Sequence, residues 1–244
     1  MTESYHKSQS SNLKSQNYAI IVAGGAGTRM HADLPKQFLL LNGKPVLMRT
    51  LEAFDRSAAK PRVILVLAAN QQSYWEQLCA EYNFNLPHQV VDGGETRFHS
   101  VKNGLDVIEN SEEGLVAIHD AVRPLTSIQI IDSAYKAAAE YGNAITAVKS
   151  RDSIRQLKNN GSISLDRDGI YLVQTPQTFR LPLIKRAYNQ PYSNIFTDDA
   201  SVAEQAGVPI HLIEGSYQNI KITFPEDMTI AETFLNAGIK VNGS

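Results

Sequence analysis

Short, continuous apolar runs alternate along this chain with longer stretches in which apolar residues recur every three or four positions. The runs Tyr18 to Val22, Arg62 to Ala69, Gly114 to Ile118 and Ala144 to Val148 are rich in Val, Ile and Leu, as expected of strands covered on both faces. Between them Pro45 to Phe54, Gln71 to Tyr82, His99 to Ile108 and Ser127 to Tyr141 read as helices, with Pro45 opening the first and Gly142 just past the end of the last. This β-α-β-α order predicts an α/β fold: a single Rossmann-like domain with a doubly wound, mostly parallel sheet, whose ligands bind beyond the carboxyl ends of the strands.

The alternation breaks between Ser150 and Gly169, where few large apolar residues, many charges and Asn160-Gly161 predict a hairpin. Residues 150–169 therefore read as a projecting β-arm, either a dimerisation arm completed by a second copy or a mobile surface hairpin. Beyond it follow a strand over Tyr171 to Pro176, helices from Leu181 to Tyr188 and after Thr197-Asp198-Asp199, short strands near Ile210 and Ile220, and a helix after Pro225. Residues 1–17 are rich in Ser, Gln, Asn and Lys without an apolar core segment, so they read as a disordered tail and not as a secretory signal or membrane anchor. The folded domain is expected over 18–240.

Polar motifs sit where the predicted strands end. After the first comes Ala23-Gly24-Gly25-Ala26-Gly27-Thr28-Arg29-Met30, then Leu34-Pro35-Lys36-Gln37. Glycines let backbone N–H groups approach a polyphosphate, and Arg29 and Lys36 add charge, so this segment reads as a phosphate cradle for a nucleotide; the plainer alternative is a turn. Counting from Gly25 and Gly27, the third glycine of a dinucleotide fingerprint is replaced by Met30, and no stretch supplies the Gly-Lys-Ser or Gly-Lys-Thr of a Walker A loop. Hydride transfer and ordinary P-loop chemistry are therefore disfavoured. Asp92-Gly93-Gly94-Glu95-Thr96-Arg97 follows the short run Gln89 to Val91, and His119-Asp120-Ala121-Val122-Arg123-Pro124 follows Gly114 to Ile118, so the three motifs are expected on one rim. Asp120 reads as a contact for the nucleotide or its metal, or else as a helix cap, with Arg123 beside it favouring function. Lys221 interrupts an apolar, strand-like stretch where an unpaired charge is costly.

Composition narrows the partners. Of 244 residues, 43% are hydrophobic, and 23 Lys and Arg against 25 Asp and Glu give a formal charge of -2, so no basic field exists for nucleic acid. No apolar stretch approaches the roughly 20 residues of a membrane span, and a soluble, cytoplasmic protein is expected. The single cysteine, Cys79, reads as a structural thiol, and the six histidines lack paired metal-ligand spacing.

Read in order, Ala-Gly-Gly-x-Gly-x-Arg-Met, Leu-Pro-Lys-Gln, Gly-Gly-x-x-Arg, His-Asp-Ala-x-Arg-Pro, Asp-Arg-Asp-Gly, Gln-Thr-Pro-Gln, Thr-Asp-Asp-Ala and Asn-Ile-Lys-Ile-Thr resemble the 2-C-methyl-D-erythritol 4-phosphate cytidylyltransferase family, from Tyr18 to about Phe234. Ribitol-5-phosphate cytidylyltransferase is the close alternative, and a silent CTP-binding module would have no reason to retain Arg29, Lys36, Arg167 and Lys221 together. The resemblance implies a GT-A-like nucleotidyltransferase fold, CTP and a polyol phosphate as substrates, Mg²⁺ bridging the triphosphate, and a homodimer. It implies that Ala23, Gly24, Gly25, Gly27, Gly93, Gly94, Arg97, Ser100 and Asp120 hold the nucleotide, although Ser100 reads equally as a helix cap. It further implies catalytic cations at Arg29, Lys36, Arg167 and Lys221, and acceptor contacts at Asp120, Arg123, Ser153, Arg167, Thr197 and Lys221, with Ser153 and Arg167 completing the neighbour's site. Asp120 is the candidate metal contact, and Thr197 reads otherwise as a cap. The chain departs from the family pattern at Gly24, His31 and Ser153, where Ala, Gly and Thr are frequent.

Overall fold

The computed structural model describes residues 16–23, 34–109 and 114–237. Of the tail expected over 1–17, residues 1–15 lie outside the described residues, as do the cradle residues Gly24, Gly25, Gly27 and Arg29, while Asn17 already opens the first strand.

A seven-stranded sheet organises the chain: β1 (Asn17–Val22), β4 (Arg62–Leu67), β5 (Gln89–Asp92), β6 (Leu115–Asp120), β7 (Asn143–Lys149), β10 (Tyr171–Arg180) and β11 (Leu212–Glu214), in the order β11-β7-β10-β6-β1-β4-β5. Strand β1 is parallel to both β4 and β6, β4 is parallel to β5, and β11 is parallel to β7. Only β10 runs antiparallel, against both β6 and β7, so the sheet is mostly parallel. The chain winds outward from β1 through β4 to β5 and then returns to the other side of β1 as β6. The reversal places a topological switch point at the carboxyl ends of β1 and β6, where α/β sheets bind ligands.

Alternate residues of the buried strands serve opposite faces, as pleating requires. Ala19, Ile21, Leu65, Leu67, Leu115 and Ala117 pack under helices α1 (Val46–Arg56), α2 (Ala69–Glu81) and α4 (Ile128–Tyr141). Ile20, Ile64, Val66, Val116 and Ile118 pack under α3 (Arg97–Asp106), α5 (Leu181–Ala187) and α6 (Asp199–Gln205). Gly104 permits the close approach of α3, because a Cβ there would stand 2.9 Å from Ile20 Cγ2 and 3.0 Å from Val66 Cγ2. A smaller cluster, Leu41, Val46, Val122, Leu125, Ile222 and Ala231, seats α7 (Pro225–Asn236) beside the two-stranded ribbon β2 (Leu40–Leu41) and β3 (Lys44–Pro45).

The expected arm is an antiparallel hairpin, β8 (Ile154–Lys158) with β9 (Gly161–Leu165), forming a sheet of its own. It leaves Leu157 85% exposed and Ile163 47% exposed.

Several boundaries differ from the sequence reading. The second apolar run stops at Leu67, and α2 starts at Ala69, because Ala68 and Ala69 pass into the helical turn instead of extending the ladder. Strand β6 runs through His119 and Asp120, so those residues belong to the strand and do not follow it. The strand after the arm continues past Pro176 to Arg180, accommodating an irregularity between Val173 and Gln177. Helix α3 starts at Arg97, not His99, because the Thr96 hydroxyl accepts the His99 N–H and caps the helix. No strand forms near Ile220: Ile222 is buried in the small cluster and donates its N–H to Val122 O at 2.9 Å, a single bond that does not extend into a ladder. No helix among the described residues is long and apolar enough to cross a membrane.

Candidate active site

Backbone hydrogen bonds carry the sheet's order past the strand ends. Ala23 N–H donates to Val66 O at 2.8 Å, Ala121 N–H to Val22 O at 3.0 Å, and Gly93 N–H to Leu67 O at 2.9 Å. The start of the cradle, the second glycine loop and the His119–Arg123 segment are thereby aligned on one rim.

Asp120 is the charge centre of this rim. Its Oδ2 lies 2.9 Å from Lys221 Nζ and 3.5 Å from Arg123 Nε, and its Oδ1 lies 3.4 Å from Arg97 Nε. Its backbone N–H donates to Thr175 Oγ1 at 3.1 Å; Asp120 closes β6, and the next helix, α4, is capped by Ser127, so Asp120 is not a helix cap. Burial by itself would push the Asp120 carboxyl up, but Arg97, Lys221 and Arg123 together outweigh it and hold the group well below the usual carboxylate range.

Arg97 has a second, stronger partner. Its two terminal nitrogens donate to Asp199 at 2.9 and 2.7 Å, a bidentate pair whose carboxylate is fully buried, and Tyr188 Oη donates to the same carboxylate at 2.6 Å. Burial alone would lower the Arg97 pKa, but Asp199 and Asp120 raise it well above its ordinary value. Arg123 is nearly buried and donates to Asn219 O at 2.7 Å; desolvation lowers its pKa despite the pull of Asp120. Arg97, Arg123 and Lys221 thus face Asp120 and Asp199, three cations to two anions, and the cluster retains one positive charge. Lys221 carries that excess toward solvent, with a side chain 40% exposed. Such an arrangement suits an anionic ligand.

The second glycine loop is fixed by Ser100, whose Oγ accepts the Gly94 N–H at 3.0 Å from within the first turn of α3. A Cβ on Gly94 would stand 2.8 Å from the His99 carbonyl carbon, so only glycine fits against the helix start. Ser100 is therefore not the helix cap, a role that Thr96 fills.

On the other side, Lys36 opens a 3-10 turn over Lys36–Phe38. Gln37 secures that turn, donating to Ala23 O at 3.0 Å and to Gln71 Oε1 at 2.7 Å, while the Phe38 ring meets Tyr74 edge-on at 5.2 Å and stacks on Trp75 at 6.4 Å. His119 is fully buried against Phe54, and burial lowers its pKa to about 3. It is neutral at pH 7 and has no solvent contact, which leaves it structural.

A model of the family described as 2-C-methyl-D-erythritol 4-phosphate cytidylyltransferase (IspD) matches residues 18–237. The chain belongs to this cytidylyltransferase family. Among relatives bearing the same name, the Bacteroides thetaiotaomicron protein is 51% identical over 216 residues, covering 88% of this chain and 98% of that relative. The Porphyromonas gingivalis (strain ATCC 33277) protein is 46% identical over 226 residues, covering 92% and 100%. The crystal structure of the Francisella tularensis 2-C-methyl-D-erythritol 4-phosphate cytidylyltransferase aligns with a TM-score of 0.75 at 36% identity, over 90% of this chain and 99% of that one. That of 4-diphosphocytidyl-2C-methyl-D-erythritol synthase from Anaerococcus prevotii aligns with a TM-score of 0.78 at 28% identity, over 91% and 96%.

Within this cytidylyltransferase chain, then, Ala23, Gly93, Gly94, Arg97, Ser100, Asp120, Arg123 and Lys221 lie along or beside the rim. Arg167 and Ser153 do not join the cluster: both are exposed at the base of the hairpin, where Arg167 donates to Arg151 O at 3.0 Å. Thr197 is exposed, and the cap of α6 is Asp198, which accepts the Ser201 N–H at 2.9 Å. Lys221 is neither unpaired nor in a strand: it pairs with Asp120, which it shares with Arg97 and Arg123. Asp199, Tyr188 and Asn219 escaped the sequence reading as site residues, although Asp199 and Asn219 stand inside the quoted Thr-Asp-Asp-Ala and Asn-Ile-Lys-Ile-Thr motifs. Among the described residues no three His, Cys, Asp or Glu side chains are grouped to hold a metal. Asp120 makes a poor direct metal ligand as it stands, since each of its oxygens already faces a cation.

Proposed function

We propose that this chain transfers the cytidylyl group of CTP to 2-C-methyl-D-erythritol 4-phosphate, releasing pyrophosphate and forming 4-diphosphocytidyl-2-C-methyl-D-erythritol, a step of non-mevalonate isoprenoid biosynthesis. The observation that carries the reading is the rim cluster of Arg97, Arg123 and Lys221 about Asp120 in a chain half identical to relatives of that name. An acceptor phosphate oxygen attacks the α-phosphorus of CTP, the new P–O bond forms, and the bond to the bridging oxygen of the β-phosphate breaks. A phosphate monoester is already largely ionised at neutral pH, so no general base is needed, in keeping with a buried, neutral His119. The chain's task is to hold two anions together and absorb the charge that moves to the leaving group. Lys36 and Arg29 are assigned to the triphosphate, Ser100 and the Gly93–Gly94 loop to the base, and Lys221 and Arg123 to the acceptor side. Mg²⁺, held chiefly by the triphosphate oxygens, would supply further charge neutralisation. Lys36→Ala is expected to reduce pyrophosphate release by about 10²-fold or more while leaving the thermal midpoint within a few degrees. A variant as active as the wild type would remove Lys36 from the reaction.

The working form is proposed to be a cytoplasmic homodimer in which the arm reaches the neighbouring subunit. The exposed Leu157 and Ile163 of the hairpin, with Leu172 and Val173 51% and 43% exposed at its base, favour burial by a second copy. In that assembly Ser153 and Arg167 would complete the neighbour's acceptor site. Light scattering should give about twice the 26.9 kDa chain mass, and a monomer at micromolar concentration would contradict it.

A further inference from the structure

Lys221 lies in a segment without regular secondary structure, between β11 and α7, held by one backbone bond, Ile222 N–H to Val122 O at 2.9 Å, and otherwise by side-chain bonds. Those bonds converge on Asn219, two positions earlier. Asn219 is fully buried, and each of its polar groups on the site side is engaged. Its Nδ2 donates to Thr175 O at 2.9 Å and to Gln174 Oε1 at 3.1 Å, its Oδ1 accepts from Thr126 Oγ1 at 2.7 Å, and its carbonyl accepts from Arg123 at 2.7 Å. The backbone carbonyl of Thr175 can only accept, which fixes the amide orientation without ambiguity. The partners come from β10 and from the segment directly after β6, the strand that ends in Asp120.

We propose that Asn219 is a positioning residue for the acceptor end of the reaction, tying the Lys221 segment to Thr175, Thr126 and Arg123 so that the ammonium stands over Asp120. The inference rests on the proposed function, in which Lys221 meets the acceptor phosphate. Asn219 itself, buried beneath the rim, touches neither substrate. Asn219→Asp preserves shape but turns a carboxylate oxygen toward two acceptors, Thr175 O and Gln174 Oε1, and displaces the segment. Thr126→Val is milder, deleting only the hydroxyl that Asn219 Oδ1 accepts from.

Steady-state pyrophosphate release, with CTP and methylerythritol phosphate varied separately, tests the inference in the full-length protein. The Asn219→Asp variant should lose about tenfold or more in kcat/KM for the acceptor with the KM for CTP within about twofold. The Thr126→Val variant should move the same way by about threefold. In a Lys221→Ala background, adding Asn219→Asp should cost almost nothing further, because one residue acts through the other. Full additivity, unchanged acceptor kinetics in both variants, or equal losses for both substrates that track the unfolded fraction would each overturn it. A wild-type protein that releases no pyrophosphate from these substrates would instead refute the proposed function, and this inference with it.

Discussion

Asp120→Asn is expected to lower stability by about 3 kcal/mol, a fall in Tm of roughly 10 °C for a domain of this size, and to lower turnover by about a hundredfold. The substitution keeps the shape of a side chain only 10% exposed and removes the charge that balances Arg97, Arg123 and Lys221. Arg123 suffers most, since its side chain is equally buried and burial already opposes its charge. The effect has a definite pH signature. Asp120 titrates below its unfolded value, so its stabilisation is fully present above about pH 4 and is lost as pH falls below that, toward its depressed folded pKa. Wild type and variant should therefore converge in stability only under strongly acidic conditions. Thermal melts from pH 7 to 3 check this, and a variant as stable as the wild type at pH 7 would show that the cluster is not coupled through Asp120.

Arg97→Met should be still more damaging to the fold, by about 4 kcal/mol, because it strands a fully buried Asp199 carboxylate against Tyr188 with no cation. Methionine fills most of the vacated volume, so the loss is electrostatic in origin. Denaturant titrations at pH 7 measure this loss, and a variant within about 1 kcal/mol of the wild type would mean that Asp199 keeps another counter-charge.

Much of this architecture is legible in the sequence because the parallel strands are buried on both faces and so write themselves as unbroken apolar runs. The three rim motifs were predictable for the same reason, each following or closing such a run. What the pattern could not express was three-dimensional pairing. Arg97 and Asp199 are separated by 102 positions, and nothing local to either marks the other as its partner. Asn219 and Ile220 looked like part of a strand because apolar and polar residues alternate there, but Ile222 turns into the small cluster under α7 while Lys221 turns up to Asp120. Alternation records which side a residue faces and is silent on whether a neighbouring strand is present to pair with. The cap of α3 is Thr96, immediately ahead of the helix, where the sequence offers Ser100 as the alternative.

The central claim is the reaction, and pyrophosphate release from CTP in the presence of Mg²⁺ tests it most directly, with methylerythritol 4-phosphate and ribitol 5-phosphate offered in parallel. Release with methylerythritol 4-phosphate, and none above background with ribitol 5-phosphate, is the expected result. Release with ribitol 5-phosphate alone, or with neither acceptor, would contradict it.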